Sequence, residues 1–200
     1  MAAIRHFWNY FIALENDLIT ISRYIELSED NFSTYSIELE KLLFSACSEF
    51  EVISKELALL MTGNKPDNIE KIHSFLAKHL HDIFSLVVRI DRYGIKLQPF
   101  EDWSKNEAYT PLPWWISYNK VKHQRTEHYS KANLNNVLNS LAALLIINFH
   151  YYQVLISQED GKTFPDLTAM EIITKTLRPK TQLIEVDSKL YYETPFLWNY

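Results

Sequence analysis

The stretch from Lys131 to Ser157 constrains this chain more than any other. Leu134, Leu138, Leu141, Leu145, Tyr152 and Leu155 fall on one face at helical spacing, and the middle of the segment is apolar nearly all round. A helix of that kind needs other elements to enclose it, and the rest of the chain carries the matching signal. From Ile4 to Ile25, Phe7, Phe11, Leu14, Leu18, Ile21 and Ile25 form the stripe of an amphipathic helix. Leu39, Leu43, Ala46, Phe50, Ile53, Leu57 and Leu60 predict a second helix, which Gly63-Asn64 and Pro66 would stop. These two are expected to pack antiparallel.

Asp67 and Glu70 read as a capping box, and Ile69, Ile72, Leu76, Ile83, Val87 and Ile90 predict a third helix that runs until Gly94. Residues 95–113 contain Pro99, Pro111 and Pro113 among scattered aromatics and read as an ordered crossing loop. A short helix is expected from Pro113 or Trp114 to about Arg125, because proline suits a first helical position. The fold expected is all-α: an antiparallel bundle of about five helices over residues 1–158, with a mixed, partly irregular C-terminal appendage over residues 159–200. Within the appendage, Glu159-Asp160-Gly161 reads as a turn and Leu183 to Val186 as a short strand. Its apolar end, Pro195 to Trp198, is expected to dock on the bundle or on a second subunit.

Three glycines and one cysteine, Cys47, in 200 residues exclude a glycine-rich nucleotide loop, a disulfide framework and a multi-cysteine zinc site. The cysteine usage points to a cytoplasmic protein. The longest uninterrupted apolar run, Leu141 to Ile147, is far short of the roughly 20 residues of a membrane span, so no membrane association is expected. The net charge of −5 is unevenly distributed: residues 1–60 carry four Lys/Arg against ten Asp/Glu, whereas residues 114–135 carry four against one. A general DNA-coating role does not fit. A local contact with an anionic ligand or with RNA near residues 120–131 does.

The candidate site lies in that basic segment, Trp114-Trp115-Ile116-Ser117-Tyr118-Asn119-Lys120-Val121-Lys122-His123-Gln124-Arg125. On a helix, Trp114, Tyr118 and Val121 point into the core, and Asn119, Lys122 and His123 share an adjoining face. Continued helical spacing would bring Arg125 beside Lys122 and Glu127 beside His123. Such a group suits a phosphodiester. His123 would serve as acid or base, Lys122 and Arg125 would offset charge on phosphoryl oxygens, and Asn119 would orient the substrate. Lys120, His128 and the ring of Trp115 are the candidate binding contacts around it. The alternative is a solvated basic face, with His123 hydrogen-bonded to Glu127.

The helix layout, the Asn-x-x-Lys-His of residues 119–123 and the long apolar helix after it resemble the HEPN superfamily (higher eukaryotes and prokaryotes nucleotide-binding) over roughly Ile4 to Ser157. The resemblance implies a dimer whose paired motifs form one cleft. It also implies metal-independent RNA cleavage of a bacterial defence or toxin–antitoxin type, or a binding relative that has lost it. The family signature places a polar residue after an Arg, with a His a few residues on. His123 matches that histidine and Asn119 the polar position loosely. Lys122 and His128, with five residues between them, set Lys where the family has Arg, and Lys lacks the guanidinium fork. The expected partners are thus a second copy of the chain and RNA, with no cofactor. The rival reading is a non-enzymatic helical module that binds another protein.

Other constellations have plainer readings. Glu70-x-x-His73 has the spacing of di-iron carboxylate bundles, but occurs only once. His79, His81 and Asp82 weakly echo helical metal-dependent phosphohydrolases, and His79 on the apolar stripe reads as a core imidazole. Cys47 reads as a small core residue, and Glu15 or Glu49 as a partner for a buried lysine such as Lys55 or Lys122. Trp103, Tyr109, Trp114 and Trp115 read chiefly as anchors of the crossing loop.

Overall fold

In the computed structural model, which describes residues 5–105, 109–159 and 177–186, helices dominate and a small sheet joins them. Helix α1 spans His6–Ile21 and α2 spans Ile37–Thr62. The hydroxyl of Ser36 caps α2 by accepting from Leu39 N, and Gly63, with φ 72°, ends it in the left-handed conformation that suits glycine. Helix α3 covers Ile69–His79, α4 Glu101–Lys105, α5 Pro113–His123, α6 Arg125–His128 and α7 Leu134–Glu159. Strands β1 (Val88–Ile90), β2 (Ile95–Leu97) and β3 (Glu185–Val186) form an antiparallel sheet in the order β2-β1-β3.

The most extensive helix contact joins α2 and α7. Near their starts, Tyr35 bridges Asn133; further along, Cys47 meets Ser140; at their ends, Gln158 Nε2 donates to Leu60 O. Partners advance together along both chains, so α2 and α7 run parallel, which corrects the expected antiparallel bundle. Helix α1 runs opposite to this pair, as expected for α1 and α2, since Trp8 near its start meets Phe149 and Tyr152 late in α7, and α5 runs opposite as well. Phe50 touches Trp114, Phe44 touches Tyr118 and Glu40 reaches Arg125, so α5 descends as α2 rises. Leu39, Leu43, Ile53, Leu57, Leu141 and Leu145 are fully buried in the resulting core. Each contributes at most about 1.5–3 kcal/mol by leaving water.

The third predicted helix is shorter than expected. Asn68, rather than Asp67, caps it through a bond from Lys71 N to Oδ1 at 2.9 Å, and it stops at His79. Beyond a 3-10 turn at His81–Ser85, the alternation in Val88-Arg89-Ile90 buries the two β-branched residues and makes a strand. Gly94, with φ 66°, closes the hairpin to Ile95-Lys96-Leu97, whose outer residues are buried. The expected crossing loop therefore holds β2 and α4. Helical spacing alone could not separate a strand from a helix in a short apolar run.

Averaged over its length, Leu134–Gln158 is long and apolar enough to cross a membrane, a property that a search for uninterrupted runs overlooks. Here 89% of its most apolar window is buried inside the protein.

Residues 177–186 lie against the helices. Trp8 Nε1 donates to Pro179 O at 2.8 Å, and β3 pairs with β1 at Val88↔Val186 and Arg89↔Glu185. Glu15, fully buried on α1, accepts the backbone N–H groups of Gln182, Leu183 and Ile184. This replaces the lysine partner expected for it. The expected strand at Leu183 to Val186 is β3 at Glu185–Val186. The predicted turn through Gly161 and the docking of Pro195 to Trp198 lie outside the described residues.

Candidate functional site

Helix α5 begins where expected, with Pro113 in its first turn, and Trp114, Tyr118 and Val121 are buried as predicted. Trp115 is buried too, at 7% exposure. Its ring packs near Phe50, Trp114 and Tyr118, so it is a core contact rather than a surface for a ligand to stack on.

The polar residues divide according to where the helix ends. Asn119 is half-buried, and its Nδ2 donates to Trp115 O at 3.1 Å, a local bond within its own helix that leaves Oδ1 as an acceptor. Lys122 folds back over Tyr118, with Nζ 3.4 Å from the hydroxyl and 5.3 Å from the ring centroid. Lys120 and His123 are exposed. The His123 imidazole makes no side-chain hydrogen bond, ion pair or ring contact with another described residue, and the alternative bond to Glu127 is not formed. All three basic residues lie in the last turn of α5, where positive charge also favours the helix dipole.

Gln124, with φ −142° and ψ 53°, breaks the helix, and the chain restarts as α6. The continuous face that would carry Arg125 beside Lys122 is therefore interrupted. Arg125 turns to α2 instead, where Nη2 lies 2.7 Å from Oε2 of Glu40, a carboxylate whose side chain is only 9% exposed. Its guanidinium also sits 5.1 Å from the Tyr129 ring, which meets the half-exposed ring of Tyr35 at 5.3 Å, edge to face. His128 is half-buried one turn away. The end of α5 and α6 is thus a ledge: Lys120 and His123 are exposed, Lys122 is exposed with its ammonium over Tyr118, and Arg125, Tyr129 and Tyr35 form a cation–aromatic cluster held by Glu40.

Tyr35 and Tyr129 escaped the sequence reading, and Glu40 enters it only as one of several acidic residues of α1 and α2, solvated or complementary to the basic segment. Glu40 stands among the acidic residues of an amphipathic helix, and nothing local marks it as the partner of an arginine far along the chain. Tyr35, just before the cap of α2, carries no signal beyond its type.

The metal candidates separate. His73 is buried between Phe84, Trp103 and Tyr109, with ring centroids 5.0–5.6 Å away. Burial lowers its pKa, which Glu70 opposes. His79 lies 5.3 Å from the Phe75 ring, and its pKa is lowered first by burial and then by Lys78. Among the described residues, no three His, Cys, Asp or Glu side chains gather as a metal site. Cys47 is fully buried, and burial raises its pKa well above the usual thiol value despite an opposing bond with Ser140. No family model matches the chain, and no curated protein or solved structure matches it either.

Proposed function

We propose that this chain is a HEPN-like, RNA-directed protein of the kind that binds without cleaving, and that it holds a single-stranded segment on the ledge at the end of α5. The observation that carries the reading is the conjunction of exposed Lys120, Lys122 and His123 with the Arg125–Tyr129–Tyr35 cluster. Cations would neutralise successive phosphates, and the exposed Tyr35 ring would stack a base without sequence preference. The same ledge supports the non-cleaving branch of the family. Cleavage by 2′-hydroxyl attack needs a second group poised with the base, yet His123 has no bonded neighbour among the described residues and Arg125 is held by Glu40. A homodimer that brings two ledges together belongs to the same proposal, and sedimentation measures it.

The test is anisotropy of a labelled single-stranded RNA, together with gel analysis of the RNA in chelator. Binding should weaken with salt, each phosphate contact contributing a slope of roughly 0.7 in log K against log salt. Lys122→Glu should weaken it further, and the RNA should stay intact. Cleavage abolished by His123→Ala would restore the nuclease branch. Absence of binding at low salt would remove RNA altogether and leave the protein-interaction module, which the exposed side chains of Tyr24 (81%) and Ile37 (55%) favour.

A further inference from the structure

A cleft of about 280 Å³ lies away from the ledge, where β2, the turn after it, the start of α5 and the first turns of α7 meet. Lys96, Gln98, Asp102, Asn135, Asn136 and Asn139 line it, with Phe32 and Trp114 on its apolar wall. We propose that this cleft binds one neutral, polyhydroxylated ring, a furanose or pyranose unit, independently of the RNA reading.

The amides are not explained by the folding of α7. Its first turn is already capped: Asn133 Oδ1 accepts from Asn136 N at 3.1 Å, and Asn136 Nδ2 donates to Lys131 O at 2.8 Å. Asn135 and Asn139 add nothing to that cap and are weak helix formers. Their side chains bond only within this pair, with Asn139 Nδ2 donating to Asn135 O at 2.9 Å and to its Oδ1 at 3.0 Å. Those bonds leave Asn135 Nδ2 as a donor and Asn139 Oδ1 and Asn136 Oδ1 as acceptors, while Gln98 offers both kinds.

The set selects its ligand by charge and by hydrogen-bonding pattern. Among the described residues that line the cleft Lys96 is the single cation, so an anion would find one charged contact there. Of the two aromatic rings on the cleft wall, Trp114 is 2% exposed and spends Nε1 on Pro99 O at 2.9 Å, which leaves the half-buried ring of Phe32 as the apolar face for a ligand ring to lie against. A hydroxyl both donates and accepts, so a ring bearing several of them matches alternating amide donors and acceptors. The volume, just below the roughly 300–1,000 Å³ of clefts for drug-sized ligands, suits one such ring.

The test follows the side-chain amide resonances of Gln98, Asn135 and Asn139 in the full chain during titration with methyl glucopyranoside, methyl ribofuranoside and glycerol. At least one glycoside should give saturable shifts, and Asn139→Leu should weaken its binding about tenfold with the thermal midpoint unchanged. Should that variant fail to fold, Gln98→Ala on the turn supplies the same readout. Response to the furanoside alone identifies a ribosyl ligand, and response to the pyranoside alone a hexose. The proposal is overturned if neither glycoside gives saturable shifts, if glycerol binds as well, or if the folded variant binds undiminished.

Discussion

Replacing Glu15 with alanine should release the segment 177–186 while leaving the helices folded. Its carboxylate receives Gln182 N at 3.0 and 3.1 Å on its two oxygens, Leu183 N at 2.9 Å and Ile184 N at 3.0 Å. Gln182 is exposed, so its N–H turns to water when the carboxylate goes, but Leu183 and Ile184 are buried and their donors would be orphaned. At about 1–3 kcal/mol for each buried unsatisfied donor, the docked segment loses roughly 4 kcal/mol, equivalent to about three decades in an opening equilibrium. The global loss is smaller, because the segment can lift away and hydrate instead of remaining docked without partners. The readout is therefore local: amide exchange at residues 182–184 should accelerate by about a thousandfold, with limited proteolysis appearing between 177 and 186. Glu15→Gln keeps one carbonyl oxygen and should fall between the two. Exchange at Leu183 and Ile184 within about tenfold of the wild type in Glu15→Ala would refute the reasoning.

Two further outcomes follow from buried groups. Burial lowers the pKa of His150, against the raising effects of its bond to Ile146 O and of Asp82, and it lowers that of His73 as well. Both then take up protons more readily unfolded than folded, so stability should fall as pH drops below about 6.5, measured by urea unfolding between pH 7 and roughly 5, and a flat profile would count against it. Cys47, enclosed between α2 and α7 with its pKa raised by burial, should resist alkylation in the native protein and react fully once unfolded.

What was legible in the sequence was what helical periodicity encodes. The stripes of α1, α2 and α7 and the proline start of α5 appear in the structure because a buried face repeats at the helical period whatever it packs against. Periodicity is silent on direction, which is why the parallel run of α2 and α7 was missed. It also misled beyond two helix ends. Val87 and Ile90 continued the spacing of α3 by coincidence, while the alternation through Arg89 decided for a strand. Arg125 continued the face of α5 on paper, but Gln124 had already left the helix. Glu15 and Glu40 found their partners 167 and 85 positions away, a separation over which no local pattern acts.

The parallel pair has a consequence for where function resides. Two 26-residue helices laid side by side in the same direction leave the chain roughly 39 Å to retrace before the second begins, so no tight turn can join them. Residues 63–133 make that return and carry α3, the β1–β2 hairpin, α4, α5 and α6. Lys96 and Gln98 of the cleft, and Lys120, Lys122, His123 and Arg125 of the ledge, all belong to this crossover, while α2 and α7 mainly support them from behind with Glu40, Asn135 and Asn139. Stability and the proposed RNA binding should therefore separate under mutation. Leu43→Ala, which empties a fully buried position on α2, should cost about 2–5 kcal/mol in chemical unfolding. Lys122→Glu, whose exposed ammonium rests on Tyr118, should move stability by less than about 1 kcal/mol while it alters RNA affinity. If Lys122→Glu unfolds the protein as readily as Leu43→Ala does, the end of α5 is part of the scaffold, and the division between supporting pair and recognising crossover fails.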